Sequence, residues 1–219
     1  MSQEITLNQF HQWLQRYADL IDEQESYLCD LDAAIGDGDH GANMVRGMTS
    51  VRTRLHEESG RDQELSTLLR NVAMALISSV GGAAGPLYGA FFLRAAKDLT
   101  EQDSKSVSLM ELAHMFRSGL EGVQQRGKAV RDEKTMIDAL APAVEALEKA
   151  AQANSTIVDA LQAASTAAEE GMHHTTSLQA SKGRASYLGP RSIGHQDPGA
   201  TSTYYLILAA AESFGKMGD

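Results

Sequence analysis

A single cysteine, Cys29, stands in 219 residues, so no internal disulfide can form, and with no N-terminal signal pattern the chain reads as cytoplasmic. Cys29 itself is expected to be a small buried apolar side chain. Positive charge is also scarce: 19 Lys and Arg face 29 Asp and Glu, a formal net charge of −10, with a pI near 5.1. Binding to a phosphate backbone needs a basic face, so nucleic acid is not an expected partner, nor is an anionic membrane surface. One uncharged run, 71–93, is long enough to cross a bilayer. Its centre, Ser78-Ser79-Val80-Gly81-Gly82-Ala83-Ala84-Gly85-Pro86, would break any spanning helix and reads instead as helix, glycine-rich turn, helix. Two-residue apolar alternation is nearly missing, which leaves little room for strands.

What is present is apolar residues at spacings of three and four along almost the whole chain, the mark of an all-α protein. With 42% apolar residues, the chain can bury one sizeable core, and a single domain over 1–219 is expected. Eight amphipathic helices follow from the stripes. The first carries Leu7, Phe10, Leu14, Tyr17 and Ile21 behind Thr6 as N-cap, and the second Met44, Met48, Val51 and Leu55. A third runs from Leu65 to Val80, and Pro86 opens a fourth through Leu93. Ser108 and Glu111 have capping-box spacing before a fifth, and Met136 to Leu147 marks a sixth despite Pro142. Ser155 is expected to cap the seventh, and Asp197-Pro198 to open the eighth.

Three helix-breaking segments are richer in glycine and polar groups than a connection needs: 35–43, 78–89 and 182–200. The first holds Gly36-Asp37-Gly38-Asp39-His40-Gly41, with Asp32 just upstream. Three crowded carboxylates call for a cation, and oxygen-only ligands suit Mg²⁺, which completes its shell with water and substrate phosphates. The segment also fits G-x-G-x-x-G, but the stretch before it is acidic and helix-like, and Asp37 and Asp39 would repel a bare pyrophosphate. An EF-hand loop starting at Asp37 would need glycine and glutamate where Ala42 and Met48 stand. The turn 81–85 offers unobstructed backbone N–H groups, and serves either close approach of a phosphate or flat ring, or a tight interhelical turn. Lys182, Arg184 and Arg191 supply cations to the last loop, though alone they would be ordinary surface charges. His173 and His174 read as solvated, and His195 as part of a helix entry.

The combination of 31–41, 78–86, Gly127-Lys128, Lys134-Thr135-Met136, 183–189 and 194–200 resembles the L subunit of dihydroxyacetone kinases, in order and through nearly the whole chain. More narrowly it is similar to the stand-alone nucleotide-binding subunit that works with the bacterial phosphotransferase system. The resemblance implies a barrel of eight antiparallel helices with adenine nucleotide bound at one end. Asp32, Asp37 and Asp39 would hold two Mg²⁺ ions that bridge the phosphates of ADP or ATP. His40, Gly41, Ala42 and Asn43 would meet phosphate at a helix start, and Ala83 and Ala84 would lie against the nucleotide. The family often has serine where Ala84 stands, which leaves a backbone contact there. Gly127 and Met136 would border the base, Arg184 would neutralise phosphate charge, and Asp197, Pro198 and Gly199 would close the site.

The implied chemistry is phosphoryl transfer by a kinase subunit. ADP would stay bound as a coenzyme and be recharged by a phosphohistidine protein. The γ-phosphate would then pass to dihydroxyacetone on a separate K subunit. No catalytic group is expected on this chain beyond the metal and nucleotide site. Two alternatives share that site: the L half of a two-subunit kinase using free ATP on a related ketose, and a nucleotide-sensing module docking on a transcriptional regulator. Only 31 residues precede Asp32, which reads as excluding a fused K half. A homodimer stays open.

Overall fold

A computed structural model describes residues 4–57, 63–99 and 105–215. Among these lie nine α-helices: α1 (Leu7–Glu23), α2 (Glu25–Ile35), α3 (His40–Glu57), α4 (Leu65–Ser79), α5 (Ala84–Asp98), α6 (Leu109–Gly127), α7 (Ile137–Gln152), α8 (Ile157–His174) and α9 (Pro198–Phe214). Eight of them have 15 to 19 residues and match the eight expected from the stripes. The additional one is α2, 11 residues long with Leu28 and Ile35 as its buried residues, too small an apolar face to register as an amphipathic stripe. Two two-residue strands, β1 (Ile5–Thr6) and β2 (Ser106–Val107), pair antiparallel. A ladder that short leaves no alternation to read.

The long helices pack in a closed ring, each against its neighbours in the order α1, α3, α4, α5, α6, α7, α8, α9 and back to α1, with α2 laid against α3 and α9. Sequence-adjacent neighbours alternate in direction, so every second helix starts at the same end. The helix starts themselves are fixed locally. Thr6 with Gln9 and Ser108 with Glu111 close full capping boxes. Asp197 caps α9 with Pro198 at its first position. The cap of α8 is Thr156 rather than Ser155: its hydroxyl accepts from the Asp159 amide at 3.1 Å.

Polarity changes along the barrel axis. The end where α1 begins is plugged by aromatic rings, with Trp13 centred 5.4 to 5.8 Å from Phe92, Phe116 and Phe214. The rings meet tilted or stacked, and aromatic pairs in such arrangements add about 0.5–1.5 kcal/mol per pair beyond area burial. Toward the other end the interior turns hydroxylic. Tyr88 Oη lies 2.7 Å from Ser202 Oγ and 3.1 Å from Thr203 Oγ1, and Ser202 Oγ lies 2.9 Å from His40 Nε2.

Candidate functional site

At the hydroxylic end the four helices α3, α5, α7 and α9 all present their N-terminal residues to one cleft of about 920 Å³. Each helix start carries roughly half a positive charge from its aligned peptide dipoles, so four together make an anion-attracting floor, although Asp32 and Asp197 already accept one first-turn amide each from α3 and α9. That convergence is a consequence of the up-and-down ring rather than of any one motif.

The acidic turn between α2 and α3 stands at the edge of this floor. One oxygen from each of Asp32, Asp37 and Asp39 lies within 4.8 Å of the other two. Asp32 Oδ2 accepts the amides of Asp39 (2.9 Å) and His40 (3.2 Å), which locks the turn onto the start of α3. The glycines follow from this geometry. A Cβ on Gly36 would sit 2.1 Å from Asp32 Oδ1, and Gly38 turns the chain at φ 77°. Three carboxylate oxygens at this spacing, with open cleft beside them, fit a hard divalent ion that retains water. Arg184 Nη1 lies 2.7 Å from Asp37 Oδ2 in a largely exposed pair. Such a pair is worth roughly 0–1 kcal/mol, so its contribution is placement of the guanidinium at the cleft mouth.

Of the residues named from sequence, Asp32, Asp37, Asp39, His40, Asn43, Ala83, Ala84, Met136, Arg184, Asp197, Pro198 and Gly199 line the cleft. Three lie just outside its lining. Gly41 is turned against α2, where a Cβ would meet the Glu25 carbonyl at 2.1 Å, and Ala42 is exposed on the first turn of α3. Gly127 ends α6 beside Leu87, itself a lining residue. Cys29 is half-buried, not sealed, because α2 lies on the outside of the ring.

Burial shapes the titration of the groups here. His40 is pushed below its ordinary value by burial, against the pull of Asp32 and Asp39. Asp197 is pushed up to about 7 by burial, reinforced by Asp138 and Asp32 and opposed by the Ala200 amide and Lys134. Sequence reasoning gave no role to Tyr88 or Lys134, which also line the cleft, or to Ser202 behind them. Ser202 belongs to the run Thr201-Ser202-Thr203, which the fold buries fully, and buried hydroxyls need partners.

A closed ring of eight long helices, with a carboxylate triad and four helix N-termini at one mouth, defines the all-helical barrel of the dihydroxyacetone-kinase type. The chain belongs to the DAK2 domain family, whose model matches residues 34–212. It is 47% identical over 212 residues to the Escherichia coli "PEP-dependent dihydroxyacetone kinase, ADP-binding subunit DhaL", covering 95% of this chain and 99% of that one. It is 41% identical over 201 residues to the corresponding subunit of kinase 1 of Listeria innocua, covering 92% and 93%. Among solved structures, the dihydroxyacetone kinase of C. freundii in complex with AMP-PNP and Mg²⁺ superimposes with a TM-score of 0.72 at 28% identity, over 93% of this chain and 33% of that one. No helix among the described residues is long and apolar enough to cross a membrane.

Proposed function

We propose that this protein is the nucleotide-binding subunit of a phosphoenolpyruvate-dependent dihydroxyacetone kinase. The observation that carries the reading is the meeting of opposite charges at one mouth: three carboxylates within 4.8 Å of one another beside four helix N-termini that attract anions. Neither half suffices for a nucleotide. The carboxylates alone would repel a diphosphate, which carries about three negative charges. Two Mg²⁺ ions held by Asp32, Asp37 and Asp39 reconcile the two, and when bound they neutralise charge on the phosphates. The rest of the work belongs to the chain. The start of α3 from His40 to Asn43 faces phosphate with its helix dipole, the amides at Ala83 and Ala84 bind phosphate oxygens, Arg184 adds a cation, and Met136 with Gly127 borders the base. Asp197, Pro198 and Gly199 form the closing wall. Ala84 contributes its backbone alone.

In this reading ADP is a resident coenzyme, recharged by a phosphohistidine protein, and the γ-phosphate leaves to dihydroxyacetone on a separate K subunit. Near end-to-end similarity to stand-alone ADP-binding subunits supports this over a kinase drawing on free ATP. The whole chain 1–219 serves as the single nucleotide-binding domain.

Asp37→Asn tests the site, since it removes a ligand charge at constant size. Mg²⁺-dependent ADP binding, measured by calorimetry, is expected to be lost while the helical circular dichroism signal is retained. Unaltered binding would remove Asp37 from the metal site and with it the proposed role of the triad.

A further inference from the structure

Lys134 is buried to within 1% of full enclosure, yet among the described residues no carboxylate lies within ion-pairing distance of its ammonium. Its Nζ donates instead to three backbone carbonyls: Thr175 (2.5 Å), Leu178 (3.1 Å) and His195. Three protons meet three acceptors, so the group is fully satisfied. The three carbonyls come from two separate stretches, two in the turn after α8 and one in the approach to α9. The arrangement is that of a monovalent cation held by carbonyl oxygens, with the cation tethered to the chain.

The backbone pays for this placement in strain: Lys134 and Asp132 both sit at positive φ, 60° and 66°, a region that costs side-chain-bearing residues on the order of 1–3 kcal/mol. The buried carboxylate of Asp138 holds the turn in place by accepting the amides of Asp132 and Thr135. Downstream, the Asp197 amide donates to Thr175 Oγ1 at 2.9 Å. Gly199 packs toward Met136, with its Cβ position 3.7 Å from the Met136 amide. The ammonium therefore ties the Met136 side of the cleft to the wall formed by Asp197, Pro198 and Gly199.

We propose that Lys134 is a positioning residue for the nucleotide: its ammonium takes the place of a bound monovalent cation and fixes the distance between the two cleft walls, without touching phosphate. This rests on the nucleotide reading above. If the unaltered protein binds no Mg²⁺-ADP, that reading fails; if it binds and the variants below behave as the unaltered protein does, only the role of Lys134 fails.

The test is Lys134→Ala, with ADP and AMP-PNP affinities measured in sodium chloride and in propylammonium chloride at equal ionic strength. We expect at least a tenfold loss of affinity, of equal size for both nucleotides, and recovery in propylammonium but not in sodium. Unchanged affinity, a loss without recovery, or a loss that grows from ADP to the more highly charged AMP-PNP would overturn the proposal, the last by making Lys134 a phosphate ligand. Should the variant fail to fold in sodium, refolding in propylammonium decides: recovery supports the tethered cation, and equal failure in both salts overturns it. Lys134→Met, which fills the channel and excludes the amine, is expected to lose affinity in both salts.

Discussion

Asp197 stands at the N-cap of α9 with its carboxyl accepting the Ala200 amide at 2.7 Å. Burial still outweighs that bond and lifts the group to about 7. Its value when unfolded is near 3.8, so the folded state holds the proton more tightly. The resulting stabilisation is fully present below about pH 4 and is lost as pH rises through about 7. Asp197→Asn keeps a competent cap, since asparagine ranks with aspartate there, and removes the titration. In urea unfolding, the variant is expected to gain on the unaltered protein steadily between about pH 4 and about pH 7 and to keep a constant advantage above that. A constant difference across that range would show that Asp197 does not titrate in this window. The same residue shows what a sequence can and cannot disclose. Asp-Pro before an apolar run marks a helix start by local rules, and Asp32, Asp37 and Asp39 announce themselves because like charges crowd within a few positions. Lys134 and Ser202 are silent for the opposite reason. Their partners lie 41 and 162 positions away, the Thr175 carbonyl for Lys134 and His40 Nε2 for Ser202.

At the scale of the elements, α7 and α8 meet backbone to backbone at Gly171. Pro142 lacks the N–H that would pair with the Asp138 carbonyl one turn back, and Gly171 of α8 lies against that carbonyl, where a Cβ would stand 2.0 Å from the oxygen. The proline that reads as a helix breaker is thus accommodated where the glycine of the neighbouring helix lies against it. Gly171→Ala must push the helices apart and is expected to destabilise the fold by about 1–3 kcal/mol, the usual range for overpacking. The readout is a lower urea midpoint at unchanged slope, and an unaltered midpoint would mean that the crossing yields freely. Long helices were legible because each buries a full stripe, and their caps because the capping residues lie within three positions of their partners. The failures are equally local. Helix α2 hides little, and Ser155 and Thr156 are adjacent cap formers between which only the tertiary course of the chain decides.

On the scale of the whole molecule, the site is assembled from every second loop of a closed ring, so a ligand there ties together segments from Asp32 to Gly199 that the helices alone connect through the far end. A ligand bound only by the folded state stabilises by mass action, about 2.7 kcal/mol at a hundred times Kd. For a chain of this size each kcal/mol moves Tm by roughly 2–4 °C, so saturation should raise it by about 5–11 °C. Charge makes the effect conditional. Without divalent ions the triad repels the diphosphate, and without the diphosphate the ions lack part of their shell. Mg²⁺ alone and ADP alone are therefore each expected to shift Tm by far less than the pair, an excess that a simple sum of two independent sites would not produce. The purified protein is further expected to keep stoichiometric ADP through extensive dialysis against Mg²⁺, to release it to EDTA, and to lose the same increment of Tm on release. A protein that emerges empty and binds ATP weakly would match a kinase drawing on free ATP. Additive shifts from Mg²⁺ and ADP would dissolve the link between the triad and the helix N-termini on which the nucleotide reading stands.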